Sequence, residues 1–166
     1  MTRLNVQAGL AGFFIIDDPQ SYLSQRFDRN HDIFLGIADR MFTTDGNLFY
    51  NSTGNPGTEF PNWIPEFYGD VMVVNGKAYP NLNVEPNRYR VRILNACNAR
   101  TLNIEFFSIA LNRSIPFALY KSDSCYHYQP VQLSNLIIPS GGRVELVVDF
   151  TGVSSGKVIL KNNQDM

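Results

Sequence analysis

The sequence has little net charge, no long apolar run and few metal-binding side chains. Its 14 Lys and Arg residues nearly balance its 15 Asp and Glu residues, which leaves a net charge of −1. Nucleic-acid-binding proteins carry an excess of basic side chains that neutralise phosphates, so this balance argues against a nucleic-acid partner. The longest apolar run near the N-terminus, residues 13–16, is far shorter than the roughly 20 residues that span a bilayer. We therefore expect neither a nucleic-acid nor a membrane partner.

The N-terminal residues do not predict a secretory signal peptide. Asn5 and Gln7 interrupt the semi-apolar stretch, and an Asp-Asp-Pro sequence at residues 17–19 stands where a cleavage site needs small residues. Asn51 and Asn112 begin matches to the N-glycosylation pattern, which leaves a secreted or cell-surface parent protein open. The sequence does not determine the localisation.

Histidine and cysteine are scarce, which restricts the metal chemistry that the chain could support. The two histidines are His31 and His127, and the two cysteines are Cys97 and Cys125. A structural zinc site needs four ligands, and a blue-copper site needs two His, a Cys and usually an axial Met at a characteristic spacing. No Met follows a Cys-His pair at that spacing. We assign no catalytic, cofactor-binding or metal-ligating residue.

The chain contains many short apolar segments that are separated by Gly, Pro and Asn. No segment shows a sustained helical period with capping residues. Short strands at close spacing with such turns indicate an all-β fold, an antiparallel β-sandwich or barrel. The strands are expected at residues 32–38, 71–74, 88–94, 102–107, 115–120, 133–138, 144–150 and 157–160.

Two local patterns predict structure in detail. Asn75-Gly76 follows an apolar strand, and this dipeptide is a strong signal for a two-residue hairpin turn. Arg88, Arg90 and Arg92 alternate with apolar residues. Because successive side chains of a strand point to opposite faces, we expect these arginines to face solvent.

Two functions stay open from the residues alone. The Gly- and Pro-rich segment 51–68 contains Phe60, Trp63, Phe67 and Tyr68, which could form the ligand surface of a free-standing β-sandwich binding module for carbohydrate or protein. Alternatively, Cys125 and His127 could share one face of a strand and act as a nucleophile pair in a small enzyme. Neither pattern is specific.

One block of the sequence resembles a known family. Phe-Tyr-Gly-Asp at residues 67–70 runs into VMVVNGKAYPNLNVEPNRYRVRILNACNARTLNIEF at residues 71–106. This block is similar to the second cupredoxin domain of three-domain multicopper oxidases, mainly the bacterial spore-coat laccases and more distantly bilirubin oxidase. LNVQAGLAGFFIIDDP (4–19), ADRMFTTDGNLFY (38–50) and LSNLIIPSGGRVELVVDF (133–150) match the same family in the same order.

The resemblance implies a cupredoxin-like Greek-key β-sandwich that holds no copper. In the family, copper is bound by His-rich motifs of the first and third domains, and His31 and His127 match none of these ligands. The middle domain orients the outer domains and contributes a wall near the substrate pocket. The parent protein would oxidise phenolic-type substrates and reduce oxygen to water. This chain alone is predicted to be inactive, because it lacks the copper ligands.

The resemblance also divides the chain into three parts. Residues 1–19 resemble the C-terminal strand segment of a preceding cupredoxin domain, residues 20–30 a linker, and residues 31–166 the copper-free domain. The partners would be the flanking cupredoxin domains. The apolar segment from Gly9 to Ile16 must fold back on the sandwich, pair with another copy of the chain or expose an apolar edge. Self-association through this segment is therefore an expectation.

The two cysteines depart from the family pattern. Cys97 replaces a small polar residue, and Cys125 lies where the family usually has glycine. If the family strand pairing holds, both lie at neighbouring strand ends. A Cys97–Cys125 disulfide is then a hypothesis, and two ordinary free thiols are the alternative.

Overall fold

The computed structural model describes residues 3–50, 66–123, 125–153 and 156–163. The described chain is built almost entirely from strands, with two helices of five residues each near the N-terminus. The elements are α1 (Arg3–Gln7), α2 (Tyr22–Arg26), β1 (Asp32–Phe42), β2 (Leu48–Phe49), β3 (Val71–Val74), β4 (Lys77–Ala78), β5 (Arg88–Asn95), β6 (Leu102–Ser108), β7 (Arg113–Ile115), β8 (Phe117–Ser122), β9 (Cys125–Leu133), β10 (Leu136–Ile138), β11 (Arg143–Asp149) and β12 (Val158–Asn162). Among the described residues, no helix is long and apolar enough to cross a membrane.

The strands form two sheets that pack face to face. The large sheet has the order β4-β3-β1-β5-β11-β8-β9, with β2 paired to β1, and the small sheet has the order β10-β6-β12, with β7 paired to β6. The pairs are antiparallel except for β1 and β5, which run parallel. The expected all-β sandwich is confirmed.

The core lies between the two sheets and is filled by the inward-facing residues of both. On β5 and β11, Val91, Ile93, Leu146 and Val148 are at most 2% exposed, as the alternation along those strands predicts. The ring of Phe106 on the small sheet meets the rings of Phe117 and Phe150 edge-on, with centroids 5.7 and 6.2 Å apart. These contacts hold the sheets together by burial of apolar surface.

The predicted hairpin turn is present. Val74 of β3 pairs with Lys77 of β4 across Asn75 and Gly76. Both turn residues have positive φ, 49° for Asn75 and 81° for Gly76. This left-handed backbone is what a tight turn between twisted strands requires, and Asn and Gly adopt it at little cost.

Two predicted strands are each divided, because the chain moves from one sheet to the other. Residues 115–120 contain Pro116, which separates β7 in the small sheet from β8 in the large sheet. Proline donates no backbone hydrogen bond, so it suits a break between ladders. Residues 133–138 likewise contain the end of β9 and the start of β10. Strand β9 was not among the strands expected from the sequence; it contains Pro130 and is an edge strand that is exposed along most of its length.

The N-terminal residues differ from a simple linker. Residues 20–30 contain α2, which begins after Ser21; the Oγ atom of Ser21 accepts a hydrogen bond from the backbone N–H of Ser24. This is an ordinary N-cap interaction. Leu23 of α2 is 1% exposed, so the helix is anchored by apolar burial. Residues 9–16 belong to no helix or strand of the described chain.

A buried polar cluster ties the end of β1 to the segment before β3. Asp39 Oδ2 accepts hydrogen bonds from the Gly69 backbone N–H at 2.8 Å and from Arg100 Nε at 3.0 Å. Arg100 Nη2 donates to the Gly69 carbonyl at 2.7 Å. A Cβ atom on Gly69 would lie 2.4 Å from the backbone nitrogen of Arg40. Only glycine therefore fits between β1 and this ion pair.

We expect Gly69→Ala to lower the free energy of unfolding by on the order of 2 kcal/mol, because the new methyl group collides with backbone rather than with a movable side chain. The measurement is urea denaturation followed by circular dichroism. Gly152→Ala is the matched control, since a Cβ atom there meets no atom within 4 Å. Equal denaturation midpoints for the two variants would contradict the close approach at Gly69.

Candidate functional site

The N-terminal segment folds back across the outer face of the large sheet, and we call residues 9–27 the arm. The ring of Phe13 meets the ring of Phe34 on β1 edge-on, with centroids 5.6 Å apart. The ring of Tyr22 in α2 stacks on the ring of Tyr120 on β8, with centroids 6.2 Å apart. The arm therefore covers a sheet face that points away from the core.

The prediction that the row of arginines on β5 faces solvent is wrong for two of the three residues. Arg88 is exposed as expected, but Arg90 and Arg92 are 2% and 9% exposed. The alternation along β5 was predicted correctly, and the arginines do point away from the core. They are buried because carboxylates and the arm lie over the face that they occupy.

Arg92 links the sheet to the arm. Its Nε and Nη2 atoms lie 3.0 and 2.7 Å from the two carboxylate oxygens of Asp32 on β1, and Nη2 also lies 3.0 Å from Asp17 Oδ1 in the arm. Paired hydrogen bonds from one guanidinium to one carboxylate are strong and directional. The hydrogen bond from Arg92 lowers the pKa of Asp17, and the charges of Arg92 and Arg90 lower it further.

A second cluster lies beside the first on the same sheet face. Arg90 Nη2 is 2.7 Å from Glu145 Oε1 on β11, and Lys121 Nζ is 3.4 Å from Glu145 Oε2. Arg90 Nη1 is also 3.6 Å from Asp32 Oδ2, which joins the two clusters. Three cations thus face three carboxylates, so the charges of this half-buried surface balance.

The side of the arm that points away from the sheet is apolar. Phe14 and Ile16 are 92% and 83% exposed, whereas Phe13 and Ile15 are each 36% exposed. This alternation is typical of an extended segment that contacts protein on one side only. Exposed apolar residues that lie next to one another commonly mark a contact surface.

Sequence reasoning missed the interface between the arm and the sheet, although part of its signal was present. Glu145 and Asp149 lie on the outward face of β11, with Val147 between them, and the structure pairs Asp149 with Arg88 and Glu145 with Arg90. Opposite charges on the same face of two strands favour ion pairs between them. This pattern does not predict which distant segment covers the ion pairs.

The two histidines lie apart, and each forms hydrogen bonds to side chains of the same domain. His31 Nδ1 is 2.7 Å from Asp28 Oδ1, and His31 Nε2 is 2.9 Å from Asn87 Nδ2. His127 Nε2 is 2.9 Å from Ser122 Oγ. In the part of the chain that the structure describes, no three His, Cys, Asp or Glu side chains form a group that could hold a metal ion. These residues do not fit a copper centre, whose imidazole and thiolate ligands must converge.

The structure has both cysteines as free thiols, so it does not contain the hypothesised Cys97–Cys125 disulfide. Cys97 is 2% exposed within the core, and its Sγ atom lies 3.9 Å from the Ile37 carbonyl oxygen. Cys125 is exposed at the start of β9, opposite Ser122. Burial raises the pKa of the Cys97 thiol to about 12. The Nε2 atom of His127 bonds to Ser122 rather than to Cys125.

The aromatic segment considered for ligand binding lies mostly outside the described residues. Phe60 and Trp63 fall there. Phe67 is 5% exposed, and its ring centroid is 5.4 Å from that of Tyr50. Tyr68 is 43% exposed beside the guanidinium of Arg100. Phe67 therefore anchors this end of the segment to its own domain.

Solved structures share this sandwich. The multicopper oxidase McoA from Aquifex aeolicus superimposes with a TM-score of 0.66 and 29% identity, over 80% of this chain and 26% of that protein. A laccase from Pediococcus acidilactici superimposes with a TM-score of 0.63 and 25% identity, over 80% and 26%. The fold is thus that of a cupredoxin-like β-sandwich.

Comparison of the sequence with those of curated proteins identifies the same family. The chain is 40% identical to the multicopper oxidase LPR1 of Arabidopsis thaliana over 98% of its own length and 28% of that protein. It is 37% identical to a laccase of Bacillus subtilis over 98% of its length and 31% of the laccase. No protein-family profile matches the chain. The chain belongs to the multicopper oxidases, and it spans less than a third of the length of these relatives.

The attachment of the arm should depend on pH through Asp17. Because the folded-state pKa of Asp17 is lowered, its ion pair stabilises the docked arm above the ordinary Asp pKa. This stabilisation is lost as the pH falls through the lowered pKa. We expect the protection of amide hydrogens in the arm, measured relative to their intrinsic exchange rates at each pH, to fall in that acidic range.

Asp17→Asn is the control, because it keeps the shape of the side chain and removes its titration. In this variant, the amide hydrogens of the arm should be less protected at neutral pH, and their protection should fall less on acidification. An arm whose protection in the wild type changes no more with pH than in the variant would show that the Asp17–Arg92 pair does not hold it.

Thiol labelling distinguishes the two cysteines. We expect a maleimide to modify Cys125 in the native protein and Cys97 only after denaturation, because Cys97 is buried and its pKa is raised. Intact mass should show one adduct in the native protein and two in the denatured, unreduced protein. Cys125→Ser should remove the native adduct. An unreduced, denatured protein without free thiols would instead support the Cys97–Cys125 disulfide.

Proposed function

We propose that the chain is the copper-free middle domain of a three-domain, laccase-type multicopper oxidase. It spaces and orients the two outer domains and contributes a wall beside the substrate pocket. The parent protein would oxidise phenolic or similar substrates in one-electron steps and reduce oxygen to water. The observation that carries this proposal is the match of 98% of the chain to 28% of one multicopper oxidase and 31% of another.

The docked arm supports a spacing role. A domain that orients its neighbours needs a firm connection to the chain that enters it. Ion pairing of Asp17 and aromatic contacts of Phe13 and Tyr22 attach the arm to the sheet at three places. Phe14 and Ile16 remain exposed on the other side, where a preceding domain could pack.

The residues before the arm have attachments of their own. Arg40 Nη2 donates to the Val6 carbonyl of α1 at 2.7 Å, and Asn98 Nδ2 donates to Gln7 Oε1 at 2.9 Å. Gln7 is 2% exposed. Side-chain hydrogen bonds to a buried partner hold a segment more firmly than surface contacts do. The entering chain is thus fixed at α1 as well as along the arm, which favours a rigid junction.

The test uses the complete reading frame from the source transcript. We expect a His-X-His motif before the segment and a Cys flanked by His after it, and we expect the complete protein to bind copper. The His31→Gln and His127→Gln variants should then keep the copper-to-protein ratio of the wild type, because both imidazoles form hydrogen bonds to side chains of this domain.

Substitution of a histidine in the upstream or downstream motif is the matched control and should lower the ratio. A reading frame without flanking copper motifs would contradict the oxidase proposal. Loss of one copper equivalent in a folded His31→Gln or His127→Gln variant would contradict the copper-free role of this domain.

A further inference from the structure

The contact between Tyr22 and Tyr120 has a chemical consequence that does not depend on the proposed function. The two rings are nearly parallel, with an interplanar angle of 14° and centroids 6.2 Å apart. In the described part of the chain, no other pair of tyrosine rings is in such contact. From this juxtaposition, we propose that Tyr22 and Tyr120 form an oxidative cross-linking site, which a one-electron oxidant of phenols converts to an intramolecular dityrosine.

The site is accessible to an oxidant. Tyr22 is 53% exposed and Tyr120 is half-buried. Both line a cleft of about 280 Å³ between α2 and the sheet, together with Arg26, Arg88 and His31. A small oxidant or a radical mediator can therefore reach at least one of the two phenols.

Local contacts position the two phenols for coupling. The guanidinium of Arg26 lies 4.6 Å from the centroid of the Tyr22 ring, which holds that ring from one side. Burial raises the pKa of Tyr120, and the charge and hydrogen bond of Tyr22 raise it further. The Tyr120 phenol is therefore protonated at neutral pH, so its oxidation releases a proton as well as an electron.

The reaction balances as follows. Each phenol loses one electron to the oxidant and one proton to solvent, which gives two phenoxyl radicals. The radicals form one carbon–carbon bond between ortho positions of the two rings. Each of these carbons then loses its hydrogen as a proton while its oxygen gains one, which restores both phenols. The net change is the loss of two hydrogen atoms and the reduction of the oxidant by two electrons.

The cross-link would join α2 covalently to β8. Tyr22 lies near the C-terminal end of the arm, and Tyr120 lies on the sheet that the arm covers. Because the rings are in contact before oxidation, coupling within one molecule should outcompete coupling between molecules at low concentration.

The experiment treats dilute, native protein with peroxidase and hydrogen peroxide and follows dityrosine fluorescence and intact mass. Trypsin should release Tyr22 in peptide 4–26 and Tyr120 in peptide 114–121, and each peptide contains a single tyrosine. We expect a monomer that has lost two hydrogen atoms and yields these two peptides covalently joined. Its fraction should not change with protein concentration.

Tyr22→Phe and Tyr120→Phe keep the ring packing and should each abolish the joined peptide. Tyr128→Phe is the matched control, since Tyr128 is fully exposed and its loss should leave the joined peptide unchanged. Circular dichroism checks that the variants are folded. Absence of the joined peptide while Tyr128 is oxidised, or dityrosine found only in concentration-dependent dimers, would overturn the proposal.

Discussion

The pairing of buried guanidinium groups with carboxylates determines how the outer face of the large sheet is built. A charged side chain that leaves water needs a partner, because an isolated buried charge costs far more than a hydrogen bond can offset. Arg92 takes one carboxylate from the neighbouring strand and one from the arm, whereas Arg90 uses the strands on either side of it. The strands of the sheet therefore supply most of the carboxylates that pair with the buried arginines. The arm supplies one further carboxylate and covers this face of the sheet.

The sequence pattern predicted the strands of the sandwich, but it did not predict which segment covers the outer face of the large sheet. Strand β3 and its hairpin turn follow from an apolar run and Asn75-Gly76, and β5 and β11 follow from period-two alternation, which are local signals. The burial of Arg90 and Arg92 depends on residues more than fifty positions away. The contact of Tyr22 with Tyr120 joins still more distant residues. Contacts between such distant residues produce no periodic pattern in the sequence, so they are seen only in the folded structure.

The side chains of His31, His127 and Cys97 form hydrogen bonds or pack within the domain. His31 bridges Asp28 and Asn87, His127 bonds to Ser122, and the thiol of Cys97 is enclosed in the core. These are the same residue types that bind copper in a cupredoxin centre. Here the two imidazoles and the buried thiol lie apart and contact groups of their own domain, so in the described residues they do not converge as the ligands of a copper centre must.

The parallel pairing of β1 with β5 has a consequence for the kinetics of folding. Parallel neighbours cannot be joined by a tight turn, and the Asp32–Arg92 ion pair connects residues 60 positions apart. The chain between them must be looped out before the centre of the large sheet can form, and this entropic cost precedes any gain from pairing. Hairpins such as β3–β4 and β8–β9 can form early and locally. We therefore expect the closure of β1 on β5 to be slower than hairpin formation, which leaves the apolar faces of both strands exposed to other molecules for longer.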